Sequence, residues 1–186
     1  FLQPAIRELM QETGLALTDL QGIAVTSGPG SYSGLRVGFA SAKGLCYALN
    51  LPLIAIPTTL VMSSAALKEI ISTDTFLLCP MIDDLRMEVF TCLYTANLDP
   101  LSSIGAKILD AGSFSAELEQ QPVYFFGDGA AKWQSICQHQ HARFLTIDWN
   151  AAGMIEMAEK RFQQQAFTSL AYSAPDYGKE FYSTQL

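Results

Sequence analysis

Charge is scarce in this sequence, and basic charge is scarcer still. Only 16% of its 186 residues are charged, and 11 Lys and Arg stand against 18 Asp and Glu, for a net charge of −7. A protein that grips nucleic acid by itself needs clustered basic residues to displace counterions from the phosphates. Here they are scattered singly, so nucleic-acid binding is expected to run through a partner rather than through this chain alone. Histidine is rarer: His139 and His141, in Gln138-His139-Gln140-His141, are the two present. They fall between a helical and a short strand pattern and read as solvated polar residues at a helix end rather than as a strand-borne metal pair. The cysteines (Cys46, Cys79, Cys92, Cys137) stand far apart in apolar surroundings. Without a C-x-x-C pair they offer no zinc site, and at this density they read as buried thiols rather than a disulfide framework. No signal-peptide pattern and no apolar run of spanning length occurs, so a cytoplasmic protein without membrane attachment is expected. What is abundant is apolar surface, 49% hydrophobic residues at a mean hydropathy of +0.20. That suits a globular chain of one sizeable domain or two small lobes. The low charge leaves room for an apolar exposed face that a partner covers.

The chain opens at Phe1, without Met, directly in a helical pattern: Leu2, Ile6, Leu9 and Met10 recur at helical spacing, and Gly14 follows as a C′ residue. The opening suggests a chain whose beginning is missing. Ile23-Ala24-Val25 reads as a buried strand, 35–49 as a helix, 51–56 as a second strand, and Thr58 as the N-cap of a helix reaching Ile71. In the 35–49 helix, Ala40, Ala42, Gly44 and Ala48 keep the surface thin, so another helix can approach closely. This alternation predicts an α/β layer with parallel pairing. From Thr73 the character changes. Residues 76–82 form an apolar strand, Asp83-Asp84-Leu85-Arg86 a polar turn and 88–94 a returning strand. Shorter elements follow: a strand at 107–109, a helix capped by Ser113 or Ser115, a strand at 123–126, the turn Gly127-Asp128-Gly129-Ala130, a helix at 131–139, a strand at 143–147 and an amphipathic helix over 151–167.

The stretch Gly28-Pro29-Gly30-Ser31-Tyr32-Ser33-Gly34-Leu35-Arg36 is the most informative. Its glycines permit positive φ and close backbone approach, and Pro29 stiffens the turn. Between a strand and a helix, such a turn aims free N–H groups and the helix dipole at whatever lies above, which suits a phosphate. Gly28, Gly30, Ser31, Ser33, Gly34 and Arg36 are therefore the candidate phosphate, nucleotide or interface residues. The loop has neither the G-K-[ST] ending of a Walker A motif nor strict G-x-G-x-x-G spacing. A tight βα turn that packs a helix against a sheet explains the pattern equally well. Arg36 opposes the dipole near its helix start, which implies an ion pair or an anion for it.

Taken from Ile23 to Gly38, with Ala42-Lys43-Gly44-Leu45 and Leu51-Pro52-Leu53-Ile54-Ala55-Ile56, the string resembles the signature shared by the TsaB family and its catalytic paralogue TsaD, of the glycoprotease-like ASKHA superfamily. Ile82-Asp83 with Arg86 and Glu88-Val89-Phe90, then Gly127-Asp128-Gly129-Ala130, then Pro175-Asp176-Tyr177, are similar to further family stretches in the same order. The resemblance implies an α/β, actin-like (ASKHA, ribonuclease H-like) fold of two lobes. The first lobe, 1–73, would be truncated at its N-terminus and lack its opening hairpin. The second, 74–186, would carry a C-terminal helix and tail.

The resemblance also implies a partner rather than an enzyme. TsaD-like enzymes hold a metal through a His-x-x-x-His pair on a helix, whereas here the first helix and the segment Pro57-Thr58-Thr59-Leu60-Val61 contain no His. A protease would need an activated nucleophile, and Ser31 and Ser33 have no His partner in view. Asp83, beside Asp84, is the candidate cleft carboxylate, against the simpler reading of a solvated hairpin turn. Arg86 and Glu88 read as a surface ion pair. The expected role is a non-catalytic dimerisation subunit for a TsaD-like transferase, working with a TsaE-like ATPase to form N6-threonylcarbamoyladenosine at position 37 of tRNA. The chain would be a homodimer when alone and would meet tRNA only through the complex. Leu2, Ile6 and Leu9 on the first helix and Leu35, Phe39 and Ala42 on the second are the expected interface residues. No metal and no tightly bound cofactor is expected in this chain alone, with ADP or ATP confined to the partner interface. The alternative is an autonomous ASKHA-type nucleotide-binding phosphotransferase or a glycoprotease-like metallohydrolase.

Overall fold

A computed structural model describes residues 2–179. In chain order the elements are α1 (Leu2–Thr13), β1 (Ile23–Thr26), α2 (Tyr32–Leu49), β2 (Leu53–Ile56), α3 (Thr58–Glu69), β3 (Leu77–Asp83), β4 (Glu88–Thr91), β5 (Tyr94–Thr95), β6 (Gly105–Ile108), α4 (Ser115–Gln120), β7 (Val123–Phe126), α5 (Ala130–Gln134), β8 (Ala142–Leu145) and α6 (Ile155–Gln163). Where the sequence suggested a division at residue 73, the described residues group differently. One unit comprises residues 2–27, 31–56 and 154–175, and the other 28–30, 57–153 and 176–179. The helix α3 thus joins the second unit and α6 the first.

In the first unit β1 and β2 pair in parallel, with Ile23 opposite Leu53 and Thr26 opposite Ile56. Ser31 starts α2 three residues earlier than hydrophobic spacing alone indicated, because its Oγ accepts the Gly34 amide at 3.3 Å. Phe39, Ala42 and Cys46 carry the inward face of α2 onto Leu53. Asn50 ends the helix in the left-handed conformation at φ 54°. Across β2, Thr168 donates its amide to the Leu53 carbonyl at 2.8 Å and accepts the Ala55 amide at 3.0 Å, and Arg161 of α6 donates to the Ala55 carbonyl. The amphipathic stretch 151–167 resolves into a 3-10 turn, Ala151–Met154, followed by the shorter α6.

The second unit is built on a mixed sheet of order β6-β4-β3-β7-β8, with β5 also pairing β3. Strand β3 is antiparallel to β4 and parallel to β7. Its uninterrupted apolar run follows from burial on both faces. Leu77, Cys79 and Met81 face a core with Phe114, Leu118, Phe125 and Trp133, whereas Leu78 and Ile82 face Met62, Ala66 and Phe126. Trp133 packs edge-on to Phe125 with ring centroids 4.5 Å apart and donates its indole N–H to the Asp110 carbonyl at 3.1 Å. The expected returning strand 88–94 is split into β4 and β5. The cap assignments also change. Pro57, not Thr58, is the N-cap of α3; Thr58 lies in the first turn with its hydroxyl buried and unpartnered. Phe114, at φ 61°, precedes α4, while Ser113 Oγ bonds Asp110 instead.

Candidate functional site

The glycine turn is built as its composition requires. Gly28 and Gly30 take φ of 107° and 156°. Gly28 and Pro29 are buried, and the Gly28 carbonyl accepts the Thr58 amide at 2.8 Å. On α2, Ser31 caps the first turn and the Ser31 carbonyl takes the Leu35 amide at 2.8 Å. Part of the donor set expected to cradle a phosphate is thus spent on closing the helix. Ser33, Gly34 and Arg36 are exposed. Arg36 donates to the Tyr32 hydroxyl at 3.0 Å and lies 5.4 Å from that ring's centroid. Its described partner is therefore an aromatic one turn back, not a carboxylate.

The interface assignment on α2 needs correction. Leu35, Phe39 and Ala42 are all buried in their own unit, because the apolar residues of a sheet-covering helix bury against that sheet first. The outward row is Val37, Ala40, Gly44 and Tyr47, at spacings of three, four and three residues. Val37 is 57% exposed and Tyr47 85% exposed. A Cβ on Gly44 would meet nothing within 4 Å. Large apolar side chains thus stand exposed at both ends of a small-residue strip. On α1, Leu2 and Leu9 are exposed and Ile6 half-buried, and the helix has no buried residue at all. Ile6 and Met10 line a groove of about 410 Å³ with Leu15 and Leu17.

In the second unit Asp83 is exposed, as a cleft carboxylate would be, but it is paired. Lys132 from α5 reaches its Oδ1 and also donates to the Asp84 carbonyl and, at 3.2 Å, to the Glu88 carbonyl. The Asp83 amide donates to Asp128 Oδ1 at 2.8 Å. The Gly127-Asp128-Gly129 turn lies directly on β3: the Gly129 amide bonds the Met81 carbonyl at 3.0 Å, and a Cβ on Gly127 would fall 2.3 Å from that oxygen. Glycine is required here by close approach. The acidic turn is therefore neutralised from within. Glu88 pairs with Lys179, at 2.7 Å, and not with Arg86, which turns the chain at φ 62°. Lys179 also sits 2.6 Å from Asp84 and holds its carboxyl below the usual carboxylate range. Sequence reasoning missed Lys132 and Lys179, since pairs separated by more than 40 positions leave no local signal.

The histidines are also internally engaged: His141 Nδ1 lies 2.7 Å from the Leu118 carbonyl, and the His141 amide bonds His139 Nδ1 at 3.2 Å. Among the described residues no group of three or more His, Cys, Asp or Glu is placed to hold a metal ion. Among the same residues no helix is long and apolar enough to cross a membrane.

This two-unit α/β architecture is actin-like. It superimposes with a TM-score of 0.81 on a crystal structure described as an uncharacterized protein with similarity to peptidase YeaZ from Pseudomonas aeruginosa. That match is 20% identical and covers 96% of this chain and 82% of the other. The family model of TsaD, tRNA N6-adenosine threonylcarbamoyltransferase, matches residues 1–180, and the chain belongs to that family. Within it the chain is similar to TsaB proteins and, over a shorter stretch, to transferases: the tRNA N6-adenosine threonylcarbamoyltransferase of Geotalea uraniireducens is 44% identical over 55 residues, 30% of this chain and 16% of that protein. The tRNA threonylcarbamoyladenosine biosynthesis protein TsaB of Bacillus subtilis is 36% identical over 93 residues, covering 49% of this chain and 38% of that protein. Its Escherichia coli namesake is 33% identical over 66 residues, 36% of this chain and 29% of that one. The chain thus spans less than two-fifths of the length of each of these relatives.

Proposed function

We propose that this chain is a non-catalytic partner subunit in the formation of N6-threonylcarbamoyladenosine at position 37 of tRNA, supporting a TsaD-like transferase in the cytoplasm. The observation that carries this reading is the uncovered row Val37, Ala40, Gly44 and Tyr47 on α2. An exposed tyrosine and valine flanking a glycine are costly to leave in water and well formed to receive a helix. The exposed Leu2 and Leu9 of α1 supply a second apolar strip. Two helices from each protomer would make an interface of four, with a second copy when the chain is alone and with the transferase in the complex.

Three further features support a non-catalytic role. No histidine stands on α1 or at the start of α3. Asp83 is neutralised by Lys132. The net charge of −7 opposes independent tRNA binding, so tRNA is met through the complex. A TsaE-like ATPase completes the proposed assembly, with ADP or ATP held at a partner interface rather than by this chain alone. Mixing the chain with its TsaD-like transferase and measuring mass by light scattering on a sizing column tests the proposal. A 1:1 heterodimer is expected, and persistent separate peaks refute it. Calorimetry of the isolated chain with ATP and Mg²⁺ should give no tight binding; turnover would favour an autonomous nucleotide enzyme.

A further inference from the structure

Two lysines hold the acidic β3–β4 turn, and they hold it differently. Lys132 is mostly buried and bonds two main-chain carbonyls as well as Asp83. Those carbonyls belong to the turn itself, so the contact lasts as long as the turn does. Among the described residues Lys179 is engaged by side chains: Asp84 Oδ2 at 2.6 Å, Glu88 Oε2 at 2.7 Å, and the face of Phe90, whose centroid lies 5.5 Å from its ammonium. Its side chain is 44% exposed. The segment before it is shaped for this position. Gly178 takes φ 72° and donates its amide to Asp176 Oδ1 at 2.8 Å, and a Cβ there would fall 2.5 Å from the Phe90 ring. Only glycine lets the main chain lie this flat on the aromatic face.

We infer that residues 176–179 form a charge-fastened latch over the β3–β4 turn, held closed by the Lys179 ammonium and opened by loss or screening of its charge. Exposed ion pairs are individually weak and are screened by salt. Ordering these residues costs more conformational entropy than the ion pairs alone offset; with the main chain at Gly178 seated on Phe90, the pairs tip the balance, so the segment can be switched without unfolding the sheet beneath. Opening uncovers Asp84, Glu88 and one face of Phe90, an acidic and aromatic surface. The inference is independent of the docking face on α2.

Hydrogen exchange on the full chain tests it. In Lys179→Gln, exchange at residues 176–178 should rise about two- to five-fold, the range expected for losing an exposed ion pair, while β3 and β7 stay unchanged. Lys179→Arg should exchange like the wild type. In the wild type, raising salt from about 0.05 to 0.5 M should reproduce the Lys179→Gln pattern. Salt-independent exchange at 176–178, no change in Lys179→Gln, or a uniform rise across the second unit would each overturn the latch.

Discussion

Replacing Gly127 by alanine should be among the most damaging single-methyl changes in this chain. The residue sits at φ 100°, and an added Cβ would lie 2.3 Å from the Met81 carbonyl oxygen and 2.5 Å from Met62 Cε. The methionine methyl can swing away. The carbonyl cannot, because it belongs to the central strand β3 and accepts the Gly129 amide at 3.0 Å. Left-handed backbone costs a residue with a Cβ about 1–2 kcal/mol, and forcing a methyl into a packed site adds about 1–3 kcal/mol. A loss of about 2–5 kcal/mol follows, a large fraction of a typical domain's stability. Gly129 provides the control. Its φ is −78°, and the nearest obstacle to a Cβ there is Val89 Cγ1 at 2.6 Å. Gly129→Ala should therefore cost less and be partly rescued by Val89→Ala. Urea unfolding followed by Trp133 fluorescence, in a Trp149→Phe background, reads the second unit. A Gly127→Ala loss below about 0.5 kcal/mol, or a Gly129→Ala loss exceeding it, would refute this account of the turn.

Gly44→Ala should raise the thermal stability of the isolated chain by about 0.5–1 kcal/mol, since the site is helical and a Cβ there meets nothing within 4 Å; calorimetry checks it. Thr58→Val should be stabilising by about 1 kcal/mol in urea unfolding, because it removes a buried hydroxyl without a partner. Burial pushes the Cys79 thiol up to about 12, so iodoacetamide should spare it in the folded chain and label the half-buried Cys137 first, as mass mapping would show. Lys179 lowers the Asp84 pKa, and that pairing raises the pKa of Lys179. The contribution of Asp84 is present above the ordinary Asp pKa and fades as pH falls through its lowered value. That of Lys179 is present below the ordinary Lys pKa and fades as pH rises through its raised value. Exchange at residues 176–178 should therefore be most retarded, relative to intrinsic rates, between those limits, and Lys179→Gln should flatten the profile.

The order of elements was legible wherever local chemistry was strong. The turn from Gly28 to Gly34, the doubly buried run of β3 and the Gly127-Asp128-Gly129 turn each impose their geometry through residues adjacent in sequence. Boundaries moved where a neighbour decided them: Ser31 extended α2 backward, and Pro57 displaced Thr58 as the cap of α3. The inward and outward faces of α2 were not legible, because small residues line both and apolar residues are available to each. Leu35, Phe39 and Ala42 went to the core, leaving Val37 and Tyr47 outside. The ion pairs of Lys132 and Lys179 join residues brought near only by the sheet, which no local pattern encodes.

The outward row of α2 is the proposed docking face for a partner. Tyr47→Asp tests it most directly, because a residue 85% exposed can change without disturbing the core. Titrating wild-type and Tyr47→Asp chains with the TsaD-like transferase in a calorimeter should show affinity falling by at least about thirty-fold, the loss of a central aromatic contact worth 2 kcal/mol or more. Melting temperature and far-ultraviolet dichroism of the isolated variant should match the wild type. Equal affinity for the two chains, with both folded, would contradict the account.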